Sequence, residues 1–181
     1  MAEKSGIEQI EECIDVLVTK FKSCPRYFFT EFDIRSYLYH LLVSKDRFKH
    51  EYVTGSGYSI GLVHTEYPAS SGGRFDLAIL DPQYVGQLPI SKQKILCGIE
   101  IGLNRNYAHF ENDYASWKFI KEAENEVSFG YILHFVKGSH IDWETVVNSV
   151  KEAAQTNECF PFRIIDTKEA KALAVRIDIM K

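Results

Sequence analysis

The chain is short of several features that would settle its class at once. It has only four cysteines in 181 residues. They stand at positions 13, 24, 97 and 159 and form no C-x-x-C pair, so neither a zinc ribbon nor a disulfide-stapled scaffold is expected. Reduced thiols packed as small apolar groups fit better and point to the cytosol. No apolar run approaches the ~20 residues that a membrane-spanning helix needs. The opening MAEKSGIEQIEECIDVLV carries acids where a secretory leader needs an apolar stretch, and no N-x-[ST] acceptor occurs. The expectation is a soluble cytoplasmic protein with no membrane partner. A large excess of one charge is also missing: 21 Lys and Arg against 25 Asp and Glu leave a net charge of -4. That excludes a uniformly basic nucleic-acid binder and leaves room for a local basic groove. Internal repeats and a G-x-S-x-G nucleophile elbow are absent. The glycine-rich GSGYSIG at 55–61 is not G-x-G-x-x-G and runs into strand-like sequence, so it reads as a bend or bulge and not as a phosphate loop.

What is present is an ordinary globular balance, 45% apolar and 25% charged, enough for one domain over 1–181 with a real core. IEQIEECIDVLVTKF has a helical apolar stripe at Ile7, Ile10, Ile14, Leu17, Val18 and Phe21. A second helix follows SCPR, with Thr30 as N-cap and a broad apolar side of Phe32, Leu38, Tyr39, Leu42 and Val43. One strand or a bent hairpin is expected around Tyr58 to His64, then strands at RFDLAIL and KILCGIEIGL. HFENDYASWKFIKEAEN is an amphipathic helix whose Phe110, Tyr114 and Trp117 suit core packing better than base stacking. VSFGYILHFV hardly alternates and reads as a central strand, with His134 packed inside. DWETVVNSVKEAAQTN, with Asp142 as a candidate N-cap, is a helix, and AKALAVRIDIM a last strand. The order α, α, β, β, β, α, β, α, β predicts a mixed α/β (α+β) domain, an antiparallel meander followed by a crossover helix.

One stretch, CGIEIGLN, raises a chemical question. Glu100 sits in the middle of an apolar strand. If RFDLAIL and KILCGIEIGL pair antiparallel with Pro82 opposite Lys94, opposed residue numbers sum to 176. Asp76 then faces Glu100 and Arg74 faces Gly102, all four on one face. Two opposed carboxylates repel unless a cation bridges them. A hard ion such as Mg²⁺ takes one or two carboxylates with backbone oxygen and water, and the Ile101 carbonyl offers a third ligand. The plainer alternative is an exposed pair of acids, or an ion pair with Arg74. His64 would flank this site from the first strand.

On these residues the chain resembles the PD-(D/E)XK nuclease superfamily, with its restriction-endonuclease-like αβββαβ core. The likeness runs over about 27–137, through TEFDIRSYLYHLL, the strand near Tyr58, GRFDLAIL, ILCGIEIGLN, NDYASWKFI and SFGYILHFV. The first helix and the C-terminal helix and strand are additions to that core. The resemblance implies a Mg²⁺- or Mn²⁺-dependent nuclease acting on DNA. It makes Asp76 and Glu100 the metal carboxylates and Glu31 an acid joined to the metal through water. The lysine two places after the second carboxylate is here Gly102, a departure from the pattern. Lys118 on the following helix, or Arg74 reaching across Gly102, would replace it, Arg74 stabilising charge but unable to act as base. Arg105, Lys118 and Lys121 would meet phosphates; a solvated helix face is the alternative. Without a replacement the expectation is a nuclease fold that binds without cutting. Family members often dimerise, which leaves a homodimer open.

Overall fold

The computed structural model describes residues 5–54, 57–68, 73–85, 93–106, 108–113, 115, 117, 127–138, 142–155 and 160–178. Helix α1 (Gly6–Ser23) starts at a capping box in which Ser5 and Glu8 satisfy each other's backbone N–H, two of the donors a helix start leaves open. Of the expected stripe, Ile10, Ile14, Leu17, Val18 and Phe21 are buried and Ile7 is half-buried, with Cys13 added to the buried side. Helix α2 (Glu31–Val43) is capped in the same way by Thr30 and Asp33. Its buried face is narrower than the expected apolar side: Ile34, Leu38 and Leu42 at i, i+4 spacing. Phe32 and Tyr39 are exposed.

The strands are β1 (Tyr52–Val53), β2 (Ser59–Ile60), β3 (Val63–Pro68), β4 (Arg74–Leu80), β5 (Ile95–Leu103), β6 (Val127–Lys137), β7 (Phe160–Asp166) and β8 (Ala170–Asp178). Helical residues 108–113 form α3, which reappears at 115 and 117, and α4 is Trp143–Gln155. The expected strand around Tyr58 to His64 is two elements. β1 and β2 make a small hairpin of their own, and β3 joins the main sheet. That sheet has the order β3-β4-β5-β6-β8-β7, antiparallel except for the parallel β5–β6 pair. A parallel neighbour needs a crossover, so α3 lies between β5 and β6 in the chain as the pattern predicts. β6 is central. β7 was not foreseen, because Pro161 argues against a strand; it is tolerated because β7 is the sheet edge.

Alternation along β5 and β6 assigns the two faces. Phe135 meets Phe21 of α1 at 4.8 Å between ring centroids, so α1 covers that face. Gly98, Gly102, Gly130 and His134 point the other way. There the Trp117 ring of α3 packs against two glycines. A Cβ on Gly130 would stand 2.1 Å from the indole, and one on Gly98 2.8 Å from both the indole and the Phe75 ring. Trp117 and Phe110 are buried; the side chain of Tyr114 lies outside the described residues. Cys13 and Cys97 are free and buried, and burial pushes the Cys13 thiol up to about 11. Cys24 is free and exposed; Cys159 lies outside the described residues. No helix among the described residues is long and apolar enough to cross a membrane.

The glycine pair makes the first prediction. Gly130→Ala forces the indole off the sheet and should cost about 1–3 kcal/mol, the range for overpacking a core. Urea unfolding should show this as a lower midpoint at unchanged m-value. Wild-type stability in Gly130→Ala would mean that Trp117 does not pack against the sheet as described.

Candidate functional site

The β4–β5 register is Leu77↔Ile99, Ala78↔Gly98 and Ile79↔Cys97, the sum of 176 that the sequence suggested. The anchor assumed for it does not hold. A bulge between Ile79 and Leu80 shifts the pairing, so that Leu80 meets Ile95 and Asp81 N–H donates to the Lys94 carbonyl at 2.9 Å. At the other end the ladder stops at Leu77↔Ile99 while β5 runs on to Leu103. The N–H groups of Ile101 and Leu103 then need other acceptors, since a buried unpaired donor is costly. Ile101 N–H donates to Asp76 Oδ2 at 2.8 Å, and Leu103 N–H donates to Glu31 Oε1 at 3.1 Å. In return the Asp76 N–H donates to the Glu100 carboxylate. Two carboxylates thus stand in for a missing strand, and a third is tied to them.

Around this edge lie more charges than the sequence reading assembled. Arg35, one turn after Glu31 on α2, donates to Asp76 Oδ1 at 3.1 Å and to Glu66. Glu66 has no Cα partner within the β3–β4 pair and adopts φ 52°, a left-handed kink in the middle of a strand. Arg105 grips Glu31 with both arms, Nε at 2.6 Å and Nη2 at 2.9 Å. His109 and Asp113 pair on α3, Nδ1 to Oδ2 at 3.0 Å. Helical i, i+4 spacing makes Glu31–Arg35 and His109–Asp113 legible in sequence as pairs; their convergence on β5 is tertiary.

The electrostatics divide the acids. Burial works to raise the Glu31 carboxyl, but the bonds from Arg105 and Leu103 outweigh it and hold it below its usual range. Burial raises Asp76, partly offset by the Ile101 bond and Arg35. Burial also lifts Asp113 to about 6 against the pull of His109. Glu100 is pushed up to about 9, first by burial, then by the charges of Asp76, Asp113 and Glu66. Among the described residues no Lys or Arg forms an ion pair with Glu100.

Of the residues singled out by sequence, Asp76, Glu100, Glu31 and the Ile101 backbone come together. Arg74 does not cross Gly102: its side chain is 68% exposed and its guanidinium lies 3.8 Å from Glu66. Strand β4 turns from β5 before reaching Gly102, and Arg74 sits opposite Pro68 of β3 instead. The space over Gly102 belongs to His134 Nδ1, 3.1 Å from where a Cβ would stand, and to Arg105 Cγ at 3.5 Å. Arg105 is engaged with Glu31. Lys118 and Lys121 lie outside the described residues. His64 does not join the cluster by any bond described; its ring bonds the Gly61 carbonyl at 2.8 Å.

Compared with protein-family models, with curated proteins and with solved structures, the chain matches none.

The raised Glu100 fixes a pH dependence. A carboxyl with a folded pKa near 9 and an ordinary value of 4.5 keeps its proton in the fold after the unfolded chain has lost it. Stability therefore falls as pH rises between these values, by at most about 1.4 kcal/mol per unit for one proton. Urea unfolding in EDTA from pH 5 to 9 should show the decline, and Glu100→Gln should flatten it. An unchanged slope in Glu100→Gln would place its source elsewhere.

Proposed function

We propose that this chain is a divalent-cation-dependent nuclease that hydrolyses DNA phosphodiester bonds, with Mg²⁺ or Mn²⁺ held by Asp76 and Glu100. The observation that carries the reading is the junction at the open edge of β5, where the Asp76 carboxylate takes the Ile101 N–H and both the backbone and the charge of Asp76 act on the buried Glu100 carboxyl. Burial and the charge of Asp76 oppose ionisation of Glu100, and a bound cation would offset both. The donor set suits a hard ion. Among the described residues no three His, Cys, Asp or Glu side chains are grouped to hold a metal, but Mg²⁺ commonly takes one or two carboxylates and completes its shell with backbone oxygen and water. In an extended strand a residue's N–H and C=O point to the same edge, so the Ile101 carbonyl faces the Asp76 side. When bound, the ion would supply charge neutralisation at the phosphate.

The protein's own groups account for the rest. Glu31 fixes Leu103 and Arg105 and in this way positions the strand that carries Glu100. Arg105 leans over Gly102 and could meet a phosphate oxygen there, but stays protonated and cannot act as base. Lys118 remains the titratable candidate for the family's missing lysine.

A second reading has its own support. Gly102 supplies no amine, and Asp76 and Glu31 are already paired with Arg35 and Arg105. On that reading the same edge binds a cation or DNA without cutting.

The purified chain should cut linear, supercoiled or branched DNA in Mg²⁺ or Mn²⁺. Asp76→Ala and Glu100→Ala should each lower the rate on the order of 10²–10³-fold or more, the scale for removing a group that stabilises developing charge, with circular dichroism unchanged. Calorimetry should record Mg²⁺ binding to the wild type that Asp76→Ala loses. A wild type that binds the ion and cuts nothing selects the second reading; one that does neither defeats both. Lys118→Ala and Arg105→Ala then ask which cation replaces the lysine.

A further inference from the structure

Next to the acidic edge the surface changes character. Phe29 and Phe32 flank Glu31 in sequence and are 81% and 62% exposed. A single exposed apolar side chain is ordinary on a soluble surface; two large aromatics close in sequence are more informative. The Phe29 backbone is anchored: its N–H donates to Asp33 Oδ2 at 2.8 Å, as part of the α2 cap. Lys137 Nζ stands 5.9 Å from the centre of the Phe29 ring. The Lys137 N–H donates to Asn104 Oδ1 at 2.9 Å, and Asn104 directly follows the Leu103 that Glu31 holds. Beyond Lys137 opens a groove of about 680 Å³, whose lining includes Arg26, Lys137 and Lys168 against a single acid, Glu169. The acidic centre, the aromatic ring and the basic groove are thus linked through neighbouring residues.

We propose that the groove and Phe29 form a track for single-stranded DNA leading to the Asp76–Glu100 centre. The proposal rests on the reading of that centre as the cleavage site and names its substrate as a strand with free bases. Three cations in a concave lining complement a phosphate backbone. An exposed ring on an anchored backbone offers a stacking surface of the kind that binds any base. A duplex keeps its bases stacked inside and leaves such a ring without a partner except at an end, so the aromatic selects the single strand. An acidic peptide would satisfy the cations but has no flat ring to stack on Phe29.

Fluorescence anisotropy with a 5′-labelled dT₂₀, in EDTA to separate binding from cutting, tests this on the full chain. The wild type should bind dT₂₀ more tightly than a 20-base-pair duplex. Phe29→Ala should weaken dT₂₀ binding on the order of 10-fold or more, as loss of one stacked base does, and Phe29→Trp should retain it. Lys137→Gln with Lys168→Gln should lower the slope of log K against log salt by about 1.4, at about 0.7 per phosphate contact on a single strand. The track is overturned by wild-type affinity in Phe29→Ala, by an unchanged salt slope in the double variant, or by preference for the duplex. Because no divalent ion is present, failure of cleavage leaves this result intact. Cleavage without strand binding would reject the track and spare the nuclease reading.

Discussion

The site depends on a strand edge that has lost its partner. β5 is paired on its β6 side along its whole described length, and on its β4 side only as far as Ile99. Two backbone donors, on Ile101 and Leu103, then face the gap. A loop or water could have met them. Carboxylates meet them instead, Asp76 from the strand that turned away and Glu31 from the first turn of α2. A charged acceptor on a backbone N–H is among the stronger hydrogen bonds, so the same contacts that close the sheet edge also fix two anions beside Glu100. The architecture around it serves this edge: the Thr30–Asp33 cap sets where α2 begins, and Trp117 on Gly98 and Gly130 holds α3, with Asp113, over the face of Glu100.

Anions gathered in this way need compensation, and it is unevenly distributed. Asp76 and Glu66 share Arg35, Glu31 has Arg105, and Asp113 has His109. Glu100 has the Asp76 backbone N–H and, among the described residues, no cation. The consequence is its high proton affinity, whose largest cause is burial and whose next is Asp76. Burial and the neighbouring acids thus favour the protonated form of Glu100. On the proposed reading a divalent ion would have to displace that proton, because ligation requires the ionised carboxylate, so its binding would strengthen as pH rises. A buried acid raised by burial and by neighbouring charges, with no cation of its own, is the pattern that marks candidate functional sites. This asymmetry supports the nuclease reading more than the number of acids does.

The sequence made the sheet and the register legible, because both rest on local pattern. Period-2 alternation in RFDLAIL and ILCGIEIGL allows few pairings that bury both apolar sets, and a one-residue slip would turn every side chain over. The bulge between Ile79 and Leu80 was invisible, since it moves one end of the pair and leaves the pattern intact. Arg74 was placed wrongly for a related reason. Extending a register assumes that the strands stay together, and here β4 leaves β5 before position 74. Arg35 is legible only as an i, i+4 neighbour of Glu31, which in the fold binds Arg105 instead. Glu66 lies between Thr65 and Tyr67, the partners of Leu77 and Phe75, so it falls across from Asp76, and Arg35 joins the two acids there. Phe32 looked like core because it is apolar in an apolar helix; the buried stripe at 34, 38 and 42 lies on another face.

Gly102 is then small for a reason other than a crossing arginine. His134 of the neighbouring strand and Arg105 beyond the strand end close over it, with contacts of 3.1 and 3.5 Å to a Cβ that is not there. His134 is buried and packed beside Phe110 and Trp143, so it has little room to retreat. A Cβ at 102 would therefore press on His134 and meet Arg105 only at ordinary contact distance, while Arg105 grips Glu31, the acceptor for Leu103. On the proposed nuclease reading, a guanidinium already engaged with Glu31 stands beside the position where a lysine amine would be expected. A guanidinium can hold a phosphate but cannot exchange a proton at neutral pH. If this edge cuts DNA, proton transfer must then fall to water or to a group arriving from α3, and the acids gathered around Glu100 would govern both.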